Sequence, residues 1–109
     1  MSYKYVVAVL RPDVIAQLET RLSQIGIGGI TLSRVKGFGE TRNFFSADRL
    51  TEHTKLEVFV EESQVDALLS ALRDTALPGV PGAGIAAVMP VDEFQPLHAR
   101  IAAAPGGSS

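Results

Sequence analysis

The feature that most constrains this chain is a strand-like run, a helical stripe and an extended run that occur twice in the same order. Tyr3 to Arg11 reads as a strand with Tyr5, Val7 and Val9 on one face and Val6, Ala8 and Leu10 on the other. Pro12 ends it and opens a helix, because proline is tolerated in a first turn, and Asp13 places a negative charge at the positive end of the helix dipole. Val14, Leu18, Leu22 and Ile25 follow at helical spacing, widened by Ile15, and Gly26 supplies a stop. Ile27 to Lys36 is extended, with Ile30 and Leu32 alternating with Thr31 and Ser33 as in a half-buried strand. Glu40 to Thr54 is polar without a clean period and reads as an exposed loop.

The second pass starts at Lys55 to Glu61. Leu56, Val58 and Val60 share one face; Lys55, Glu57 and Glu61 share the other, which Phe59 interrupts. Ser63 and Asp66 read as a capping pair, and Val65, Leu68, Leu69, Leu72 and Ala76 as the buried stripe of a second helix. Leu77 to Gly84 is too rich in proline and glycine for a regular element, and Ile85 to Val91 is an apolar fourth strand. The order βαββαβ predicts an α+β, ferredoxin-like domain: a four-stranded antiparallel sheet with two helices on one face. Residues 1–94 hold that domain, and 95–109 form a tail expected to be partly disordered. Strands one and four are apolar on both sides, whereas two helices cover only one. Self-association is the simplest cover for the other, since Phe94, Leu97 and Ile101 give the tail little apolar surface.

Composition narrows the function. There is no cysteine, which removes disulfides, thiolate metal sites and cysteine nucleophiles. The formal net charge of −2 comes from scattered residues of both signs, with no basic stripe for nucleic acid. The longest apolar stretch is too short to span a bilayer and the first residues lack a signal-peptide layout, so a cytoplasmic address is expected. No nucleophile–base pair, carboxylate pair or metal motif marks an enzyme.

The run Gly26-Ile27-Gly28-Gly29-Ile30-Thr31-Leu32-Ser33-Arg34-Val35-Lys36-Gly37-Phe38-Gly39 resembles the second strand and loop entrance of PII signal-transduction proteins, which read much like VGIQGITVTEVKGFG. The resemblance continues through Lys55-Leu56-Glu57-Val58, Gln64-Val65-Asp66 and Pro90-Val91-Asp92-Glu93, and so spans Tyr3 to Phe94. It implies a homotrimer that binds an adenine nucleotide between subunits, often senses 2-oxoglutarate, and presents a long loop to a protein target, a membrane transporter among the target classes. The implied ligand-binding residues are Thr31, Gly37, Phe38, Gly39, Thr41, Gly79, Gly82 and Gly84; the implied partner contacts are Phe44, Phe45 and Arg49.

The chain departs from that pattern in three places. The Glu40 to Thr54 interval is shorter than the family loop and has no tyrosine, which excludes tyrosine modification there. Glu40-Thr41 replaces the family's Arg-Gln, and His53 falls near the family lysine that pairs with 2-oxoglutarate. The phosphate loop, TGKIGDGKIF in the family, keeps Gly79, Gly82 and Gly84 but carries Val80, Ala83 and Ile85 in place of its charged residues. Pro96 and His98 stand where two phosphate-clamping arginines are expected, leaving Arg11 and Arg100 as nearby cations. No cofactor is fixed by these residues; AMP or ADP suffers least from the lost cations. The expectation is a PII-like regulator with a small effector and a protein partner. The alternative is an interaction or structural protein of the same fold whose ligand site has decayed.

Each feature has a plainer reading. Gly37-Phe38-Gly39 can be a tight turn, Gly79 to Gly84 an ordinary connection, and Thr31 a strand threonine. Phe44 and Phe45 either pack back on the assembly or meet a partner. His53, with Glu52, Asp48 and Glu57 nearby, is expected to be a solvated loop histidine, not a metal ligand.

Overall fold

The computed structural model describes residues 2–37, 51–76, 79 and 83–97. In chain order these give β1 (Tyr3–Leu10), a 3-10 turn (Pro12–Val14), α1 (Ile15–Gln24), β2 (Thr31–Gly37), β3 (Thr51–Glu61), a second 3-10 turn (Glu62–Gln64), α2 (Val65–Thr75) and β4 (Gly84–Pro90). The sheet order is β2-β3-β1-β4 with every neighbouring pair antiparallel, which is the ferredoxin-like βαββαβ arrangement. β1 and β3 are the two inner strands, and β2 and β4 the edges.

One face of the sheet meets the helices. Val6, Ala8 and Leu10 of β1 and Leu56, Val58 and Val60 of β3 alternate inward, as their period of two requires, and are at most 3% exposed. Val14, Leu18 and Leu22 pack on them from the first helical segment, with Leu68, Ala71 and Leu72 from α2. Removing a leucine-sized side chain from water contributes about 1.5–3 kcal/mol, so this stripe is the main favourable term of the fold. α1 ends in a Schellman motif. Gly26 takes φ +79°, its N–H donates to Ser23 O, and Ile27 N–H donates to Leu22 O while its side chain is buried.

Several boundaries differ from the sequence-based expectations. β1 ends at Leu10, one residue early, and β4 runs one residue ahead of the expected span. β2 begins at Thr31, not Ile27, because residues 27–30 leave the Schellman turn and include Gly29 at φ +70°. β3 begins at Thr51, not Lys55, because Thr51 to Thr54 pair with Gly37 to Arg34. The expected loop Glu40 to Thr54 therefore loses its last residues to the sheet. The second helical segment is capped by a Glu61–Gln64 box, in which Gln64 Oε1 accepts from Glu61 N–H at 3.1 Å, two residues earlier than the expected Ser63–Asp66 pair. β4 also differs from expectation on the helix side. The helices cover β1 and β3, so Ala86 and Val88 on the edge strand stay exposed although they face the same way as the core.

Candidate functional site

Antiparallel pairing brings four strand ends to one end of the sheet. Gly37 closes β2 opposite Thr51, the first residue of β3; Leu10 closes β1 opposite both Thr54 and Gly84, the first residue of β4. Gly37 and Gly84 therefore share an end of the sheet. Thr31 does not join them. It sits at the other end of β2, opposite Glu57, about 20 Å away at roughly 3.3 Å per strand residue. Only an elongated ligand lying along β2 touches both Thr31 and Gly37 of one protomer. Phe38, Gly39, Thr41 and Gly82, and the partner-contact candidates Phe44, Phe45 and Arg49, lie outside the described residues.

The two described glycines of the connection into β4 have different reasons to be glycine. Gly79 adopts φ +86° with open space where a Cβ would stand. Gly84 adopts φ +136°, and a Cβ there would fall 2.2 Å from Val9 O. Packing of β4 on β1 thus accounts for Gly84 without a ligand.

Arg11, expected as a compensating cation at this end, is already paired. Its Nε and Nη2 donate to the two carboxylate oxygens of Asp13 at 3.2 and 2.9 Å, a forked ion pair across one turn. The hydrogen bonds from Arg11 hold the Asp13 carboxyl below its ordinary range, and those same bonds raise the Arg11 guanidinium. Lys36, exposed beside Gly37, is the nearest described cation on β2.

His53 corrects another expectation. It is 1% exposed, within β3 opposite Val35, instead of solvated on a loop. Strand alternation turns Glu52 to the opposite face, where it pairs with Arg34 at 3.3 Å, and Glu57 lies further down the strand engaged with Tyr5. Of its acidic neighbours in the sequence, the two described ones, Glu52 and Glu57, are thereby engaged elsewhere; Asp48 lies outside the described residues. A groove of about 290 Å³ lined by Gln17, Thr20, Arg21, Gln24 and Thr75 opens between the helices. None of the site residues expected from the sequence is in its lining, and Arg21 is held there by Asp74 at 3.1 Å.

The sequence did not reveal how the uncovered face of the sheet is organised. The Tyr5 hydroxyl donates to Glu57 Oε2, and Lys55 Nζ lies 3.9 Å from the same oxygen. Beside them Phe94 stacks on Tyr3 with centroids 4.1 Å apart and tilts against Phe59 at 5.5 Å. Two signals were available: the alternation of Tyr5, Val7 and Val9, and that of Lys55, Glu57 and Phe59. Only the register between β1 and β3 sets those residues side by side.

Comparison with known proteins agrees with this geometry. The family model described as nitrogen regulatory protein P-II matches residues 3–100. The chain is 34% identical over 96 residues to a nitrogen regulatory protein P-II of Synechocystis sp., covering 82% of this chain and 86% of that protein. It is 33% identical over 94 residues to a P-II homolog of Arabidopsis thaliana, of which it spans about half (48%; 79% of this chain). Among solved structures, Arabidopsis thaliana PII bound to citrate superposes with a TM-score of 0.68 at 32% identity, covering 82% of this chain and 74% of that one. B. subtilis GlnK gives 0.73 at 24% identity, covering 84% and 87%, a likeness of fold. Sequence match, strand order and the glycine-bearing end of β2 together place this chain in the P-II family of nitrogen regulatory, signal-transducing proteins.

Proposed function

We propose that this chain works as a cytoplasmic homotrimer that binds a small effector between subunits and passes its occupancy to a protein partner through residues 38–50. The effector is an adenine nucleotide with few phosphates, AMP or ADP. One observation carries the choice. Arg11 is committed to Asp13, so it cannot replace the cations missing at Val80, Ile85, Pro96 and His98 without losing that pair. Each added phosphate is then held mainly by backbone N–H groups at the glycine turns, whose attraction falls short of a charge-assisted bond. Gly37 at the end of β2, Gly79 before β4 and Thr31 further down β2 form the described part of the proposed binding line, to which Phe38, Gly39, Thr41 and Gly82 are assigned from the family pattern. Phe44 and Phe45 supply apolar area to the partner, and Arg49 helps set its register.

Calorimetry and thermal shift test this directly. A ligand bound only by the folded state, at a hundred times its dissociation constant, stabilises by about 2.7 kcal/mol. AMP or ADP is expected to raise the melting temperature, and ATP with magnesium and 2-oxoglutarate to bind more weakly. Tight magnesium-dependent binding of ATP with 2-oxoglutarate would overturn the choice of effector. Citrate, the ligand of the Arabidopsis PII structure, serves as an anion control. The second reading, an interaction protein with a decayed site, is favoured by Gly84, whose conformation packing alone explains. It gains if no nucleotide shifts the melting temperature.

A further inference from the structure

The face of the sheet turned away from the helices is apolar across β1 and β4 and largely polar across β2 and β3, where Thr31, Ser33, His53, Lys55 and Glu57 fall. Tyr5, Val7 and Val9 of β1, Phe59 of β3, and Ile85, Ala87 and Met89 of β4 lie on it, with Phe59 49%, Ile85 46% and Met89 38% exposed. Glu57 sits among them, opposite Val7 on one side and Thr31 on the other. Both of its described polar contacts, the Tyr5 hydroxyl and the distant Lys55 ammonium, fall on Oε2. Oε1 accepts no hydrogen bond from a described residue, and the 3.9 Å gap leaves Lys55 able to serve a second carboxylate oxygen.

We infer that Lys55 and Glu57 form a reciprocal polar key between copies of this chain, Lys55 of one copy reaching the open Oε1 of Glu57 in its neighbour while Tyr5 holds that carboxylate in position. The inference rests on the homotrimer proposed above and names what sets its register. The charges choose the occupant. A second copy brings an ammonium to a waiting carboxylate and a carboxylate to a waiting ammonium. A purely apolar partner or a lipid interior would bury this loose 3.9 Å pair with Oε1 unserved, which is costly. A nucleic acid would set phosphates against Glu57.

Buried ion pairs have a distinctive mutational signature: removing one partner strands the other charge, whereas replacing the whole group with apolar side chains is nearly neutral. The test is sedimentation over a concentration series for the wild type, Lys55→Met, Glu57→Gln and the triple variant Tyr5→Phe/Lys55→Met/Glu57→Leu, with circular dichroism to confirm folding. Lys55→Met is expected to raise the half-assembly concentration by about a hundredfold or more, and Glu57→Gln to act in the same direction. The triple variant is expected to return to within about tenfold of the wild type. An assembled wild type with Lys55→Met and Glu57→Gln unchanged, or a triple variant as weak as Lys55→Met, overturns the key and leaves the trimer standing. A wild type that is monomeric at every concentration overturns both.

Discussion

Gly84→Ala separates a structural glycine from a ligand-binding one. In the native backbone the new Cβ would meet Val9 O at 2.2 Å and Leu10 Cδ2 at 3.1 Å, and its φ of +136° is one that side-chain-bearing residues rarely adopt. The dihedral alone costs on the order of 1–3 kcal/mol. The contact with a backbone oxygen cannot relax by a rotamer change, so the start of β4 must lift from β1, adding roughly 1–3 kcal/mol. A total near 3 kcal/mol corresponds to a fall in melting temperature of about 15 °C for a domain of this size. Gly79→Ala is the control: its φ of +86° is unfavourable, but nothing lies within 4 Å, so only about 1 kcal/mol is lost. Both variants are melted without ligand at one protein concentration, followed by far-ultraviolet circular dichroism. If Gly84 is glycine only to admit a ligand, the unliganded Gly84→Ala protein melts with the wild type and loses only its ligand-induced shift. That result, or equal losses in the two variants, would refute the packing explanation.

Three further outcomes are expected. Leu68→Ala, at a fully buried position, should cost about 2–5 kcal/mol, read as a lower urea midpoint. Gln64→Ala removes the acceptor for Glu61 N–H and should cost about 1 kcal/mol in the same assay; no change would show the cap to be idle. The hydrogen bond to Glu57, helped by burial and the carboxylate charge, raises the Tyr5 hydroxyl above its ordinary value of 10.0. Its stabilisation is therefore full below that value and lost as pH rises through the higher folded one. Ultraviolet titration of Tyr3→Phe, where Tyr5 is the remaining tyrosine, should show a late transition that Glu57→Gln moves earlier.

The helix-facing half of the fold was legible because its residues obey a period. Val6, Ala8 and Leu10, or Leu68 and Leu72, announce a buried face wherever they occur. The start of β3 was not legible: Thr51-Glu52-His53-Thr54 has no apolar alternation and is strand only because β2 lies alongside it. His53 is buried, which no local pattern reports. At the candidate site the glycines could be read but their reasons could not, since the Val9 carbonyl that requires Gly84 lies far away in sequence. The commitment of Arg11 to Asp13 was within reach, two residues apart at a helix start, although the charges alone read as a free cation and a helix-dipole partner.

The strand order also fixes a sequence of events during synthesis. β1 is an inner strand, yet one of its partners is the last strand among the described residues: Lys4 pairs with Pro90 and Leu10 with Gly84. Until that late segment leaves the ribosome, β1 waits as an open edge with Tyr5 to Leu10 uncharged throughout. Such a segment pairs readily with another nascent chain, and Lys4 is the only charge inside β1 to discourage it. Completing the sheet is a long-range closure, which is slow by nature. How long β1 is left exposed is thus set by the time taken to translate residues 61 to 90, a hazard that the stability of the finished domain does not remove.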